Sequence, residues 1–174
     1  LKDKSFDLAV SIFGAMFATK PFDVAREMVR VTRSGGRIVM GNWIPGDPTL
    51  VAQILKISSA YSTPPPEGFV SPMTWGVEAN VIERFGAAGV PAANITCGKD
   101  TYVFNYPAPA SKFLEQFRNF YGPTMNAFDA AAKNGKAEES QNELDLLFNR
   151  QNQARTNDTT TIPAAFLRVT VRVP

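Results

Sequence analysis

The stretch of this 174-residue chain best placed for chemistry is Ser11-Ile12-Phe13-Gly14-Ala15. An apolar run, Leu8-Ala9-Val10-Ser11-Ile12, leads into it, and a helical pattern follows from Pro21. That strand-to-helix order is the one in which open α/β sheets place ligands, outside the carboxyl ends of their strands. The loop holds one glycine and no lysine, so it is not a nucleoside-triphosphate loop. Read as residues alone, a plain connection and a ligand-contacting loop stay equally open. Gly35-Gly36 has the reverse order, helix before and strand after, which predicts a C-capping turn rather than a phosphate cradle. Phe113, Phe117, Phe120 and Tyr121 form an aromatic stripe. It reads first as core, and second as a pocket wall with the Tyr121 hydroxyl at its rim. Trp43 and Trp75 divide the same way, with Trp43 favoured for a pocket because it ends a strand. Cys97 has no basic pattern beside it and reads as a buried, unreactive thiol.

Histidine is absent. That removes Ser-His-Asp and Cys-His nucleophile pairs and any His-ligated metal site. What remains is a reaction that needs no histidine, or a binding role.

These residues need elements to hold them. Leu8–Ile12 suits a strand covered on both faces of a parallel sheet. Pro21 or its neighbour opens a helix with Phe22, Ala25, Val29 and Thr32 on one side. Asp23 in its first turn and arginines in its last suit the helix dipole. Gly35-Gly36 should end it, and Arg37–Trp43 returns as a second strand, completing a βαβ unit. Asp47 and Pro48 mark the cap and first position of another helix, which Pro64-Pro65-Pro66 breaks. A helix spans roughly Thr74 to Phe85, and Ile95–Tyr106 is extended. Ser111 can cap the next helix, and Gly122-Pro123 interrupts it. A short helix around Met125–Lys133 and a longer one at Ala137–Arg155 follow, then a last strand, Phe166–Val173. There Leu167, Val169, Val171 and Val173 alternate with Arg168, Thr170 and Arg172.

With 44% apolar residues the chain can build one ordinary core, so a single domain is expected. A net charge of +2 with no basic block gives phosphate-backbone binding no support, so no nucleic-acid partner is expected. No apolar stretch approaches the roughly 20 residues that span a bilayer. A lone cysteine and no secretory pattern make the cytoplasm the expected compartment. The abrupt start on a buried-type strand reads as the latter part of something longer.

SFDLAVSIFGAMFATKPFDVAREMVRVTRSGGRIVMGNWIP resembles the middle of a class I S-adenosylmethionine-dependent methyltransferase, of the ubiquinone/menaquinone-biosynthesis type. In that family FD-x-hydrophobic-x-S opens the fourth strand and R-V-x-[RK]-[PS]-G-G-R turns into the fifth. Trp75-Gly76-Val77-Glu78, Phe120-Tyr121-Gly122-Pro123-Thr124 and the last strand also resemble a subgroup. The resemblance implies an α/β, Rossmann-like methyltransferase sheet of which residues 1–174 are the second half, strands four to seven. The last strand would be antiparallel, and added helices would cover the substrate side. It implies S-adenosylmethionine as cofactor, bordered by Ser11, Phe13 and Gly14. The acceptor would be a small, largely apolar molecule in a pocket of Met16, Phe17, Trp43 and Tyr121. No residue is assigned as catalytic base and no metal is implied. The family's glycine-rich loop and ribose-binding acid would lie before Leu1. A non-catalytic half-domain that folds and associates without holding the cofactor is therefore the competing reading. Its partner would be a second copy through Phe6–Ile12, or the missing N-terminal half.

Overall fold

The computed structural model describes residues 1–174. The apolar run forms strand β1 (Phe6–Ile12) and the helical pattern forms α1 (Pro21–Val31), opened by Pro21 and carrying Asp23 in its first turn. Strand β2 (Thr32–Trp43) returns parallel to β1, with Val10 beside Val39 and Ile12 beside Gly41. Helices α2 (Leu50–Tyr61) and α3 (Glu78–Ala87) follow, then strand β3 (Ile95–Tyr106). Helices α4 (Ala110–Phe120), α5 (Gly122–Lys133) and α6 (Ala137–Gln151) precede strand β4 (Thr160–Arg172). The sheet order is β1-β2-β4-β3, and β4 runs antiparallel to β2. This is an α/β architecture with a mixed, Rossmann-like sheet, its last strand reversed as expected.

Several local expectations differ from the structure. Gly35-Gly36 does not cap α1. The helix stops at Val31, because Thr32 turns extended, pairs with Phe6 and returns its hydroxyl to the Met28 carbonyl at 2.7 Å. The glycines sit inside β2 as a bulge, since Thr32 faces Phe6 but Arg37 already faces Leu8. Gly35 has φ +74°, and its N–H donates to the Val173 carbonyl at 2.9 Å. A side chain at Gly36 would stand 2.8 Å from the Arg33 carbonyl oxygen. Asp47 is not the cap of α2. Its carboxylate accepts from the N–H and hydroxyl of Thr49, and the helix begins one residue later. The helix expected from Thr74 to Phe85 is two elements, a 3-10 turn (Pro72–Gly76) and α3. Gly122-Pro123 opens α5 rather than merely breaking α4, as proline in a first turn can. The last helix ends four residues early, at Gln151, and β4 begins at Thr160 with Pro163 inside it.

β1 is also not covered on both faces. It pairs with β2 alone, and Phe6, Leu8, Val10 and Ile12 are all exposed, Val10 by 56%. No helix of the structure is long and apolar enough to cross a membrane.

The chain divides into two compact units. The first comprises Leu1–Pro45, Glu67–Asp100 and Phe166–Pro174. Its core is Ala25 and Val31 of α1, Ile38 and Met40 of β2, Val81 and Phe85 of α3, and Val169 and Val171 of β4. The second comprises Gly46–Pro66 and Thr101–Ala165. There α2, α4, α5 and α6 pack together, and Phe113, Phe117 and Phe148 meet edge to face with centroids 5.2–5.8 Å apart. The aromatic stripe of α4 is thus core at Phe113 and Phe117, whereas Phe120 is exposed.

Candidate functional site

The carboxyl ends of β1 and β2 are where a parallel sheet exposes its ligand edge. Phe13 extends the ladder one residue past β1, donating its N–H to the Gly41 carbonyl at 2.9 Å. It then turns with φ +55°, a left-handed conformation that a bulky aromatic residue seldom adopts. Such strain costs about 1–2 kcal/mol and persists only where surrounding contacts enforce it. Here the contact is visible. The Phe13 ring lies flat on the Trp43 indole, centroids 3.6 Å apart and planes 2° from parallel. Phe166 meets both edge-on, at 5.5 and 6.5 Å. The Phe166 ring also packs over Gly41, where a Cβ would meet it at 3.4 Å, an ordinary contact.

The left-handed step folds the following residues back on β1. The Ser11 hydroxyl accepts the Ala15 N–H at 2.8 Å, and the Phe17 N–H reaches the Gly14 carbonyl at 3.1 Å. The result is a 3-10 turn (Ala15–Phe17) with Met16 inward, only 1% exposed, and Phe17 outward, 43% exposed. This turn touches the second turn, Pro72–Gly76, which itself rests on β2. Gly76 allows that contact, since a Cβ there would lie 2.0 Å from the Trp43 carbonyl oxygen.

Six of the seven residues singled out in the sequence, Ser11, Phe13, Gly14, Met16, Phe17 and Trp43, fall in the sheet unit, around this one edge. Tyr121 belongs to the helical unit, at the start of α5. Its ring meets Phe117 at 5.4 Å, and its hydroxyl is buried without a hydrogen-bond partner. Burial pushes its pKa up to about 12, so it is a neutral donor at physiological pH. Burial and the charge of Glu78 likewise raise Cys97 to about 11, which leaves a thiol and no nucleophilic thiolate. No group of three His, Cys, Asp or Glu side chains is assembled to hold a metal.

Phe166 and Gly76 were not assigned to the site from the sequence. Phe166 opens the alternating run of the last strand and looks like one more core residue there. Gly76 carries no turn signal, because its role is close approach and not φ. The chemistry of the edge is plain: three aromatic rings, a strained loop, one committed hydroxyl, and no ionisable side chain among them. It can present an apolar wall and orient a bound molecule.

A family model described as a methyltransferase domain matches residues 1–40. An uncharacterized protein of Mycobacterium tuberculosis is 29% identical over 127 residues, 73% of this chain and 44% of its own length. A second from the same organism is 28% identical over 126 residues, 72% of this chain and 44% of its own. The chain therefore spans less than half the length of the curated relatives it matches. A solved structure from Anabaena variabilis, named as a methyltransferase from an antibiotic biosynthesis pathway, is 14% identical. It covers 98% of this chain and 68% of its own with a TM-score of 0.50, a likeness of fold.

Proposed function

We propose that this protein transfers the methyl group of S-adenosylmethionine to a small, largely apolar acceptor. The observation that carries the reading is the β1 edge, where the strained Phe13 is clamped on Trp43 at the carboxyl end of a methyltransferase-type sheet. The match of residues 1–40 to a methyltransferase domain supports it. The resemblance to the ubiquinone/menaquinone-biosynthesis type favours an apolar acceptor over a macromolecule.

The residues present fit one wall of a cofactor site. Gly14 leaves the loop surface without a side chain, and Phe13 offers a half-buried ring beside it. No acid at this edge is placed to take a ribose. S-adenosylmethionine, when bound, supplies a sulfonium methyl open to in-line displacement. The chain's own part is to orient and to keep water out. Ser11 holds the loop through Ala15, Phe13 and Trp43 form the wall, and Met16 closes its floor. Positioning and desolvation of this kind can supply much of the acceleration without a dedicated base.

The half-domain reading rests on the open β1 edge and the absence of a glycine-rich cofactor loop from these residues. Calorimetric titration of S-adenosylmethionine separates the two. The 174-residue chain alone is expected to bind weakly or not at all, and a protein extended upstream of Leu1 is expected to bind in the micromolar range. Micromolar binding by the chain alone would overturn the half-domain reading. No binding by the extended protein would overturn methyl transfer.

A further inference from the structure

A second feature of the sheet unit serves none of this. Arg84, on α3, is 5% exposed yet makes no ion pair. Its Nη2 donates to the Thr74 hydroxyl at 2.7 Å, and its Cζ stands 4.5 Å over the Trp75 ring centroid. Its Nη1 is buried with no hydrogen-bond partner, and so is the Nε1 of Trp75. The charge that acts on it, Glu83, is an exposed neighbour that does so through space. Burial pulls the Arg84 pKa below its ordinary value, but guanidinium still keeps its proton at any physiological pH.

A buried guanidinium without a carboxylate is costly, and buried polar atoms without partners are rare enough to need a cause. Both orphaned groups here are donors. A water would satisfy one and bring donors of its own, whereas the charged oxygens of a carboxylate or phosphate only accept, and they match an arginine donor. The contact with the Trp75 ring and the hydrogen bond to Thr74 also hold the guanidinium in place, which lowers what is lost on binding.

We propose that Arg84 Nη1 and Trp75 Nε1 form a binding site for an oxyanion, a carboxylate or a phosphate. Neither atom touches solvent, so the anion enters on a transient opening of the Pro72–Gly76 turn and is held once Trp75 has closed back over Arg84. That turn is held at its start by Ser71, which accepts the Thr74 N–H at 3.0 Å and the Met73 N–H at 3.3 Å. The same turn packs on β2 and on Ala15–Phe17. The anion can therefore be a free ion or an acidic group carried by a bound apolar molecule, and the site stands whether or not the protein transfers methyl groups.

Thermal melting of the full 174-residue chain tests this, with phosphate, acetate and benzoate titrated at constant ionic strength against chloride. At least one probe is expected to raise the melting temperature along a saturating curve, as a ligand of the folded state must. Arg84→Met keeps the stem over Trp75, and is expected to melt no lower than wild type without anion and to lose the shift. Trp75→Phe keeps the ring but removes the N–H, and should weaken the anion about tenfold, the worth of one hydrogen bond to a charged group. It decides the matter if Arg84→Met fails to fold. Benzoate well above acetate assigns the site to an acid on an apolar ligand, and equal effects assign it to a free ion. No saturable shift with any probe, or an unchanged shift in either variant, would overturn the site.

Discussion

β1 and β4 are both apolar strands, and the more apolar one is the wetter. β4 interrupts its valines with Arg168, Thr170 and Arg172, yet Leu167, Val169 and Val171 are buried. β1 is apolar at Phe6, Leu8, Val10 and Ile12, and each of these is exposed. The difference is in neighbours. β4 lies between β2 and β3, while β1 has β2 on one side and nothing on the other. Apolar content says that a strand is stabilised by cover. Position in the sheet decides whether the cover is there.

The sharpest way to break this comparison is to put the same charge on both strands. Val169→Asp would bury a carboxylate without a partner, and is expected to cost about 3–5 kcal/mol. Val10→Asp, on a side chain already 56% exposed, should cost no more than about 0.5 kcal/mol. Urea unfolding of the two variants measures both, and similar losses would show that β1 is covered in solution.

Two glycines at the site edge extend the contrast. Gly76→Ala drives a Cβ to 2.0 Å from the Trp43 carbonyl oxygen, an overpacking expected to cost about 3 kcal/mol. Gly14→Ala meets only the Ser11 hydroxyl at 3.5 Å, and should change stability by less than about 0.5 kcal/mol. Calorimetric melting of the pair would separate close packing from an open loop surface.

Phe13 allows a finer test, because its strain and its stacking oppose each other. Phe13→Ala removes the stack and keeps the strain of the left-handed backbone, whereas Phe13→Gly removes both the stack and the strain. The glycine variant should therefore be the more stable of the two by about 1 kcal/mol, the reverse of the usual ranking. An alanine variant as stable as the glycine one would mean that the loop relaxes once the ring is gone.

Tyr121 carries a smaller effect, in the helical unit. Its buried hydroxyl has no partner, so Tyr121→Phe should be neutral or stabilising, by about 1 kcal/mol at most. Its folded pKa of about 12 lies above the ordinary 10, so the folded state favours the neutral phenol. The corresponding stability is whole below pH 10 and is lost as pH rises through about 12. Tyr61 follows the same course, raised to about 12 by burial and then by its hydrogen bond to Glu143. Alkaline unfolding should weaken in Tyr121→Phe and persist through Tyr61. In an extended, active protein the same variant should alter acceptor affinity or turnover, and unchanged kinetics would return Tyr121 to core.

The last test needs almost no change in stability. An unpaired apolar strand tends to recruit another chain, and a lysine on it is a common deterrent. Light scattering should find concentration-dependent association of the 174-residue chain that Val10→Lys reduces. A monomer at every concentration would show that the edge is simply solvated.

How much of this was legible in residue order follows from range. Leu8–Ile12, Pro21 with Asp23, and Ile95–Tyr106 are local patterns, and they became β1, α1 and β3 with small shifts at their ends. The Ser11–Ala15 loop was marked by its place between a strand and a helix, and six of the seven site residues meet around it. Gly35-Gly36 misled because glycines after a helical pattern are a good local stop signal. The stop came from Thr32 pairing with Phe6, a contact across 26 positions that no local pattern holds.

The sequence alone determined the element types, the βαβ order and the lack of any histidine chemistry, because propensity, periodicity and composition act over a few residues. Tertiary structure decided the rest. It set Phe13 on Trp43 with Phe166 across them, gave Gly76 its need for no side chain, and left Arg84 buried without a carboxylate. It also placed β1 at an edge. Each of these depends on which distant surfaces meet, and contact between surfaces is a property of the folded chain, with no counterpart in the spacing of its residues.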